Sequence, residues 1–371
     1  MNILLLASHA VAEYDDLRMF TDLGYDVFAP GGYEVPSRSG EGIRPALPNA
    51  PHHHEFVEMC NQVRAERGEP GPMIDWAKAA IPDPIIEWAD VIIAHHFVDR
   101  WIGDQWDRIR HKRVIWRTCG QSNPDLERYM TPFVDQGLEI VRYSPAERRH
   151  FGELGSFAGE SAVIRFGKYP SDYGPWTGEW PGVINVTQNL YQRGEACGYP
   201  FWRDVTRGLD AMPIGQGSEA IGGTGAVPYP DMLAWLARAR VYLYTGTTPA
   251  SYTLGLMEAM LSGIPVVSIS PNEWGRGWGG AMLFEGHEFA SVWADSVDST
   301  RVAINDLLRN DERAANASRD TREMGEFYFG IERIGQRWKD YLEGRPLDPD
   351  VPVSHFKSQR AKGLRGLEWA R

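Results

Sequence analysis

The 371-residue sequence contains only three cysteines, Cys60, Cys119 and Cys197, which lie far apart and form no Cys-x-x-Cys pair. An odd number of isolated cysteines argues against a disulfide framework and against a structural zinc site, and it is typical of a reducing compartment. No stretch approaches the roughly 18 consecutive apolar residues of a membrane-spanning helix. The apolar run Ile3 to Ala7 is too short for a signal peptide, and no basic residues precede it. We therefore expect a cytoplasmic protein.

Basic residues are also in deficit, with 38 Lys and Arg against 50 Asp and Glu, which gives a formal net charge of −12. The overall field of such a chain does not attract a long polyanion, which counts against nucleic-acid binding, although a local basic groove stays open. Asp-x-Asp metal motifs are missing from cleft positions, because Asp348-Pro-Asp350 lies near the C-terminus. The run His52-His-His54 has no carboxylate cluster beside it, and we interpret it as a loop rather than a metal site.

What the sequence does contain is a regular series of short apolar runs that alternate with helix signals. Such runs are typical of parallel strands buried on both faces. The predicted strands are 3–7, 25–29, 90–94, 113–116 and 139–143 in a first series, and 183–187, 211–215, 241–245 and 265–269 in a second. Because 371 residues exceed what one hydrophobic core usually serves, two domains are expected. The sequence predicts an α/β fold with two Rossmann-like domains that face each other across a cleft.

Composition and periodicity place the domain boundaries. We predict an N-terminal domain at 1–165, a linker rich in Gly, Pro, Tyr and Trp at 166–182, and a C-terminal domain at 183–325. A crossover helix is predicted at 326–343, because apolar residues recur there at steps of three and four (Phe327, Ile331, Ile334, Trp338 and Tyr341). The remaining segment, 344–371, is Pro-rich and then basic, and we interpret it as a frayed tail, with a binding arm as the alternative.

The most informative segment runs from Thr247 to Val267. It predicts a loop and then a helix from about Thr253 to Ser262, ended by Gly263 as a left-handed C-cap and by Pro265. The first-turn amides, from about Ser251 to Leu254 and including Tyr252 and Thr253, have no acceptor within the helix and lie at the positive end of its dipole. A pyrophosphate fits such a helix start. Glu258 follows one turn later, and its carboxylate is able to accept both hydroxyls of a ribose, unless it is simply a solvated helix residue.

The stretch Glu258-Ala-Met-Leu-Ser-Gly-Ile-Pro-Val-Val resembles the second half of the donor-site signature of retaining GT-B glycosyltransferases of family four, the group that includes glycogen synthase-like and mannosyltransferase-like enzymes. The resemblance implies that Glu258 binds the donor ribose. The first half departs from the signature, because the family's first glutamate falls on Ala250 and its Phe-Gly-Leu falls on Tyr252-Thr-Leu254. In the family that glutamate contacts the transferred sugar, so the identity of the sugar and the catalytic competence of the site stay open.

Two further segments are similar to the same family. Val183 to Gly194 resembles the first strand and loop of the C-terminal domain, where an Arg and a Lys bind the donor phosphates. Arg193 matches the second basic position, and Gln188 or Asn189 stands at the first. A guanidinium suits a diphosphate because it donates two parallel hydrogen bonds, while an ordinary surface arginine is the alternative. The second segment, Pro228 to Val241, resembles the helix and strand that precede the donor loop in that family. The resemblance places the loop at Tyr229 near the nucleotide base.

In the N-terminal half, Asp90-Val-Ile-Ile-Ala-His-His96 resembles a family strand whose terminal histidine faces the transferred sugar. Adjacent strand residues point to opposite faces, so we select His96 for this role and expect His95 to be packed.

Weaker candidates for the acceptor site are His9, the Gly31-Gly32 loop and Arg117-Thr-Cys-Gly120. The loop Asn272 to Gly280 carries Trp274 and Trp278, which either stack on sugar rings or pack as ordinary hydrophobic residues.

The resemblance implies a retaining glycosyltransferase that needs no metal and no bound cofactor, with His96 and Arg193 as catalytic groups and a UDP- or GDP-sugar as donor substrate. Basic groups and helix dipoles stabilise the leaving diphosphate in such a site. The expected acceptor is the hydroxyl of a glycan, a lipid or a small molecule. A virus-type transferase that modifies hydroxymethylated DNA bases or a virion protein is one alternative. A non-catalytic sugar-nucleotide-binding protein and a GT-B epimerase are the others.

Overall fold

The computed structural model describes residues 1–7, 9–30, 44, 47, 53–66, 68, 81–95, 99–119, 124–147, 159–274 and 285–361. These residues form two parallel β-sheets with helices on their faces.

The first sheet has the strand order β2-β1-β3-β4-β5-β6, and every described pairing in it is parallel. Its core lies on both faces, because alternate residues of the same strand join different hydrophobic clusters, such as Leu4 on one face and Ile3 on the other. The elements of this half are β1 (Asn2–Leu6), α1 (Ala10–Asp22), β2 (Asp26–Phe28), α2 (His54–Glu66), α3 (Asp83–Trp88), β3 (Val91–His95), α4 (Asp99–Ile109), β4 (Arg113–Arg117), α5 (Pro124–Val134), β5 (Glu139–Arg142) and β6 (Ala162–Val163).

The second sheet has the order β11-β10-β9-β7-β8 and is also parallel throughout its described pairings. One continuous hydrophobic cluster covers it. Its elements are β7 (Trp180–Val186), α6 (Leu190–Arg193), α7 (Tyr199–Thr206), β8 (Ala211–Ile214), α8 (Tyr229–Arg238), β9 (Ala239–Tyr244), α9 (Leu254–Ser262), β10 (Val266–Ser268), α10 (Pro271–Trp274), α11 (Gly286–Phe289), β11 (Val292–Trp293), α12 (Val297–Arg309), α13 (Asp311–Phe329), α14 (Ile331–Leu342) and α15 (Val353–Ala361).

The prediction of one continuous crossover helix at 326–343 is wrong in one respect. The helix is interrupted at Gly330, which separates α13 from α14. Gly330 has an extended ψ of 131°. The break is held by Lys168, whose amide donates to the carbonyl of Phe329 and whose carbonyl accepts from the amide of Ile331. The apolar face is divided accordingly: Phe327 packs on the second-sheet cluster, while Trp338 is buried under the first sheet.

The interpretation of 344–371 as a frayed tail is wrong for its described part. Val351, Val353 and Phe356 are buried in the second-sheet cluster, since these apolar side chains cover the aromatic residues of α13. The Lys357 ammonium donates to the carbonyl of Ala290. Residues 362–371 lie outside the described part of the chain.

The first helix, α1, begins at Ala10, directly after His9. Ala10, Val11 and Ala12 are buried, and the amide of Glu13 closes the first turn on the carbonyl of His9. Among the described helices, none combines the length and the apolar character that crossing a bilayer requires.

Candidate functional site

Helix α9 begins beside the carboxyl end of β7, as the donor-site prediction requires. Thr253 is its N-cap and accepts a hydrogen bond from the Leu256 amide at 3.3 Å, and Gly263 ends it with a φ of 76°. The amides of Leu254 and Gly255 have no acceptor among the described residues, and both residues are half-buried. A Cβ at Gly255 would lie 3.1 Å from the Val186 carbonyl oxygen, so the missing side chain lets the helix start approach the end of β7. Two N–H groups at the positive end of the helix therefore remain for an anion.

The residues just before α9 are engaged by the first half of the chain. The amide of Ser251 donates to the Tyr143 hydroxyl at 2.5 Å, and the Tyr252 hydroxyl donates to the Tyr143 carbonyl at 2.8 Å. Both Ser251 and Tyr252 are buried. The prediction that the Ser251 amide is available to a pyrophosphate is therefore wrong, because this amide already donates to Tyr143, the residue just after β5.

Glu258 is buried in an ion cluster rather than solvated. Its Oε1 accepts from Arg44 Nη2 at 2.9 Å and lies 3.1 Å from Lys168 Nζ. Both of these contacts are made by Oε1. Burial raises the pKa of Glu258, but Lys168 and Arg44 outweigh burial and hold the pKa below its usual range. The carboxylate is therefore ionised at neutral pH.

Four charged residues from different parts of the chain make up this cluster, which we call the donor-side cluster: Asp15, Arg44, Lys168 and Glu258. Lys168 Nζ is 2.6 Å from Asp15 Oδ2 on α1, so the ammonium lies between two carboxylates. Burial lowers the pKa of Lys168, but the two carboxylates outweigh it and keep the pKa above its ordinary value. The cluster has two basic and two acidic side chains, and burial raises the pKa of Asp15, an effect that Lys168 and Arg44 offset only in part.

Tyr229, predicted to lie near the nucleotide base, adjoins the donor-side cluster. The guanidinium carbon of Arg44 lies 3.6 Å from the centre of the Tyr229 ring, which is a close cation–π contact. Tyr229 is also hydrogen-bonded to the buried Tyr173. Burial, with Glu258 nearby, raises the pKa of Tyr229 to about 12, so its hydroxyl stays protonated. Arg44 thus contacts both Glu258, the residue predicted to bind the ribose, and Tyr229, the residue predicted to lie near the base.

A second cluster connects the two halves, and we call it the bridging cluster: Ser144, Arg165, Glu285 and Asp350. Arg165 donates from Nη1 and Nη2 to the two Glu285 oxygens at 3.0 and 2.6 Å. It also donates to Asp350, from Nε at 3.4 Å and from Nη2 at 2.8 Å. Ser144 Oγ donates to Glu285 Oε2 at 2.7 Å. Every nitrogen of the Arg165 guanidinium therefore has an acceptor.

Arg193, the predicted phosphate ligand, is exposed at the end of α6. Its guanidinium makes no hydrogen bond or ion pair with any described residue. Gln188 is engaged, since its Oε1 accepts from the Gln216 amide at 2.6 Å. Asn189 has a φ of 55° and caps α6. Arg193 is thus the basic group of this loop that is available to a ligand.

At the carboxyl edge of the first sheet, His95 is the last residue of β3 and is completely buried, as expected for the packed member of the pair. Its Nε2 lies 3.0 Å from Asp16 Oδ2, and Arg117 pairs with the same carboxylate. Burial lowers the pKa of His95, and the hydrogen bond to Asp16 only partly offsets this. His96 lies outside the described residues, so its predicted contact with the sugar stays a prediction.

Several other sequence candidates also lie outside the described residues: Gly31, Gly32, Gly120, His52, Trp278 and the side chain of Trp274. Ala250, at the position of the family's first glutamate, is buried. Within the described ranges, no group of three or more His, Cys, Asp and Glu side chains is placed to hold a metal ion.

Sequence reasoning missed Arg44, Lys168 and Asp15. Arg44 lies in a Pro- and Gly-rich stretch without periodicity, and Lys168 lies in the predicted linker. The adjacent acidic pair Asp15-Asp16 was a usable signal, because two buried carboxylates on one helix need cationic partners.

Solved structures with this arrangement of elements are known. A sucrose-phosphate synthase from Thermosynechococcus elongatus matches with a TM-score of 0.61 at 12% identity, over 93% of this chain and 98% of that one. HepE of Anabaena in complex with UDP-glucose matches with a TM-score of 0.61 at 14% identity, over 93% and 100%. A glycosyltransferase from Rickettsia africae matches with a TM-score of 0.58 at 11% identity, over 92% and 98%.

At such identities the likeness establishes the fold alone: this chain is a two-domain α/β protein of the GT-B fold, and the predicted fold class is confirmed. No protein-family model matches the sequence, and a search of curated proteins finds no match either.

Proposed function

We propose that this protein is a glycosyltransferase that takes a sugar from a nucleoside-diphosphate donor bound at the start of α9. The supporting observation is the position of Glu258: an ionised carboxylate whose described contacts are both made by Oε1, one turn after two helix N–H groups that have no acceptor among the described residues. A nucleoside diphosphate has the matching groups, a ribose diol to donate to Glu258 and phosphate oxygens to accept from the amides of Leu254 and Gly255.

The leaving diphosphate gains its stabilisation from these amides and from the guanidinium of Arg193. Preorganised donors of this kind act on the charge that develops as the glycosidic bond to the phosphate breaks. We propose a metal-independent transfer with retention, in which the acceptor hydroxyl attacks from the face that the diphosphate leaves and the phosphate takes its proton. His96 is proposed to hydrogen-bond a hydroxyl of the transferred sugar.

We propose a UDP- or GDP-sugar as the donor. HepE of Anabaena, which shares the fold, has been solved with UDP and with UDP-glucose. The acceptor is proposed to be a hydroxyl of a glycan, a lipid or a small molecule.

Donor binding tests the proposal directly. Isothermal titration calorimetry with UDP, GDP and ADP should give binding to at least one nucleotide, and Glu258→Gln should weaken it about tenfold or more, since a hydrogen bond to a charged group is lost. The matched control is Glu326→Gln, because Glu326 also pairs with an arginine but is half exposed on α13. Circular dichroism checks that Glu258→Gln stays folded. Equal affinity of the wild type and Glu258→Gln would refute the ribose assignment.

Turnover is tested with the donor sugars of the nucleotide that binds. Release of free sugar, or transfer to an added acceptor, should persist in EDTA and should fall with Arg193→Ala. Proton NMR of the product reports the anomeric configuration, and net inversion would contradict retention.

A second candidate is a sugar-nucleotide-binding protein without turnover, which Ala250 favours. A methyl group cannot provide the contact that a carboxylate makes to the transferred sugar, and Ala250 is buried. This candidate predicts nucleotide-sugar binding that depends on Glu258 but no sugar release. The two candidates therefore give the same result in calorimetry and opposite results in the turnover assay.

A further inference from the structure

Arg44 has a feature that its partners do not explain. Its side chain is 4% exposed and donates from Nη2 to Glu258, yet its Nε and Nη1 are buried and have no hydrogen-bond partner within the described part of the chain. A buried donor without an acceptor loses its hydration and gains nothing in return. Arg165, the corresponding arginine of the bridging cluster, has an acceptor for each nitrogen. These two nitrogens of Arg44 therefore call for acceptor atoms that the described residues do not supply.

The surroundings of Arg44 indicate which chemistry supplies these acceptors. Burial lowers the pKa of Arg44, but Glu258, Tyr229 and Asp15 outweigh it, so the guanidinium stays charged. Its guanidinium is already paired with the ionised Glu258, and the ammonium of Lys168 lies between Asp15 and Glu258. Arg44 thus already has a counter-ion, and what its Nε and Nη1 need is hydrogen-bond acceptors. Ribose oxygens and base carbonyl oxygens are uncharged acceptors of this kind.

The position of Arg44 agrees with that chemistry. Its guanidinium lies between Glu258, the proposed ribose ligand, and the ring of Tyr229, predicted to lie near the base. We propose that Arg44 is a nucleoside-binding residue of the donor site, donating from Nε and Nη1 to oxygen atoms of the ribose and base. This inference rests on the proposed function, and it adds a donor contact from the N-terminal half of the chain.

The arrangement also assigns different parts of the donor to different arginines. Arg44 contacts the nucleoside from a buried position, and Arg193 contacts the diphosphate from an exposed one. Free nucleoside and inorganic pyrophosphate therefore separate the two contributions.

The experiment compares wild type, Arg44→Lys and Arg18→Lys by calorimetry with UDP, uridine and inorganic pyrophosphate, and with GDP and guanosine in parallel. Arg18 is a matched control, because it also stacks on a tyrosine (Tyr169, 3.4 Å) and pairs with an aspartate (Asp172, 2.7 Å). Arg44→Lys keeps the positive charge beside Glu258 but removes the extra donors. We expect it to weaken the nucleoside diphosphate and its nucleoside by about tenfold each and to leave pyrophosphate unchanged. Arg18→Lys should change none of the three.

Tyr229→Leu provides a second variant in case Arg44→Lys does not fold. It removes the ring under the guanidinium without changing a charge, and it should weaken nucleoside binding by about threefold or more. Unchanged affinity in Arg44→Lys, with a loss in Glu258→Gln, would overturn the inference and leave the proposed function standing. Tighter nucleotide binding in Arg44→Lys would also overturn it, because Arg44 would then compete with the donor for Glu258. A wild-type chain that binds none of these nucleotides would overturn both.

Discussion

The donor-side cluster and the bridging cluster connect the same two halves of the chain, and both are buried around one arginine. They differ in how completely they are satisfied. In the bridging cluster, Arg165 donates to four carboxylate oxygens and Glu285 has partners on both of its own. In the donor-side cluster, two nitrogens of Arg44 have no described partner, and both described contacts of Glu258 are made by the same oxygen. A saturated cluster holds the halves together, whereas an unsaturated one leaves hydrogen-bonding capacity for a ligand.

This comparison predicts its largest effect on stability for Arg165→Ala. The substitution leaves Glu285 and Asp350 without their cation in a buried site, and breaking such a pair typically costs about 3–5 kcal/mol of the free energy of unfolding. The thermal unfolding midpoint measures the loss. The control is Arg128→Ala, which removes an exposed pair with Asp125 on one face of α5 and should cost about 1 kcal/mol or less. Equal effects of the two substitutions would show that the bridging cluster is not structural.

Glu147 is another buried carboxylate, outside both clusters, and it extends the comparison to the pH dependence of stability. Thr118 Oγ1 donates to its Oε2 at 2.6 Å, but Oε1 has no hydrogen-bond partner among the residues that the structure describes. Burial raises the pKa of Glu147 to about 7 from 4.5, with Arg142 offsetting only part of the effect. The folded protein therefore binds this proton more strongly than the unfolded chain, and stability falls as the pH rises from about 4.5 to about 7.

Glu147→Gln should remove this slope. The amide stands in for the protonated acid, so the variant should match the wild type near about pH 5 and be more stable by up to about 3 kcal/mol near about pH 8. Denaturant unfolding at both pH values measures the difference. A wild-type stability that rises over the same pH range and is unaffected by the substitution would contradict the assignment. Glu258, whose pKa is lowered by its cations, should show no such gain when it is neutralised.

Arg193→Ala sharpens the contrast between a buried and an exposed arginine. Losing a charge-assisted contact to phosphate should weaken the binding of UDP and pyrophosphate by about tenfold and leave the binding of uridine unchanged. Arg44→Lys, in contrast, is expected to weaken the binding of UDP and uridine and to leave that of pyrophosphate unchanged. The stability of the protein should stay the same, since the Arg193 side chain is exposed. Arg207→Ala is the control, because Arg207 is an exposed arginine of the same half of the chain, at the end of α7, where it pairs with Asp204. A uniform loss for all three ligands would mean that Arg193 acts through the fold.

The strands of both sheets and helix α9 could be predicted from the sequence, because the residues that specify each of these elements lie within it or next to it. Apolar runs mark the buried strands, and Gly263 with Pro265 ends the helix within two residues of its last turn. The clusters were not predictable in this way, since Arg44 and Glu258 are 214 residues apart and nothing in either neighbourhood specifies the other. The break at Gly330 has the same cause, because the hydrogen bonds that hold it come from Lys168.

The smallest effect is expected for Ser144→Ala, which removes a single hydrogen bond from the saturated cluster. Glu285 Oε2 keeps its contact with Arg165 Nη1, so no buried charge is left unpaired. The cost should be about 1 kcal/mol of the free energy of unfolding, with nucleotide affinity unchanged. In the double variant with Arg165→Ala the two losses should not add, because both act on the same carboxylate. If the two losses of unfolding free energy simply add, Ser144 acts mainly through its other hydrogen bond, which its Oγ accepts from the Ala146 amide.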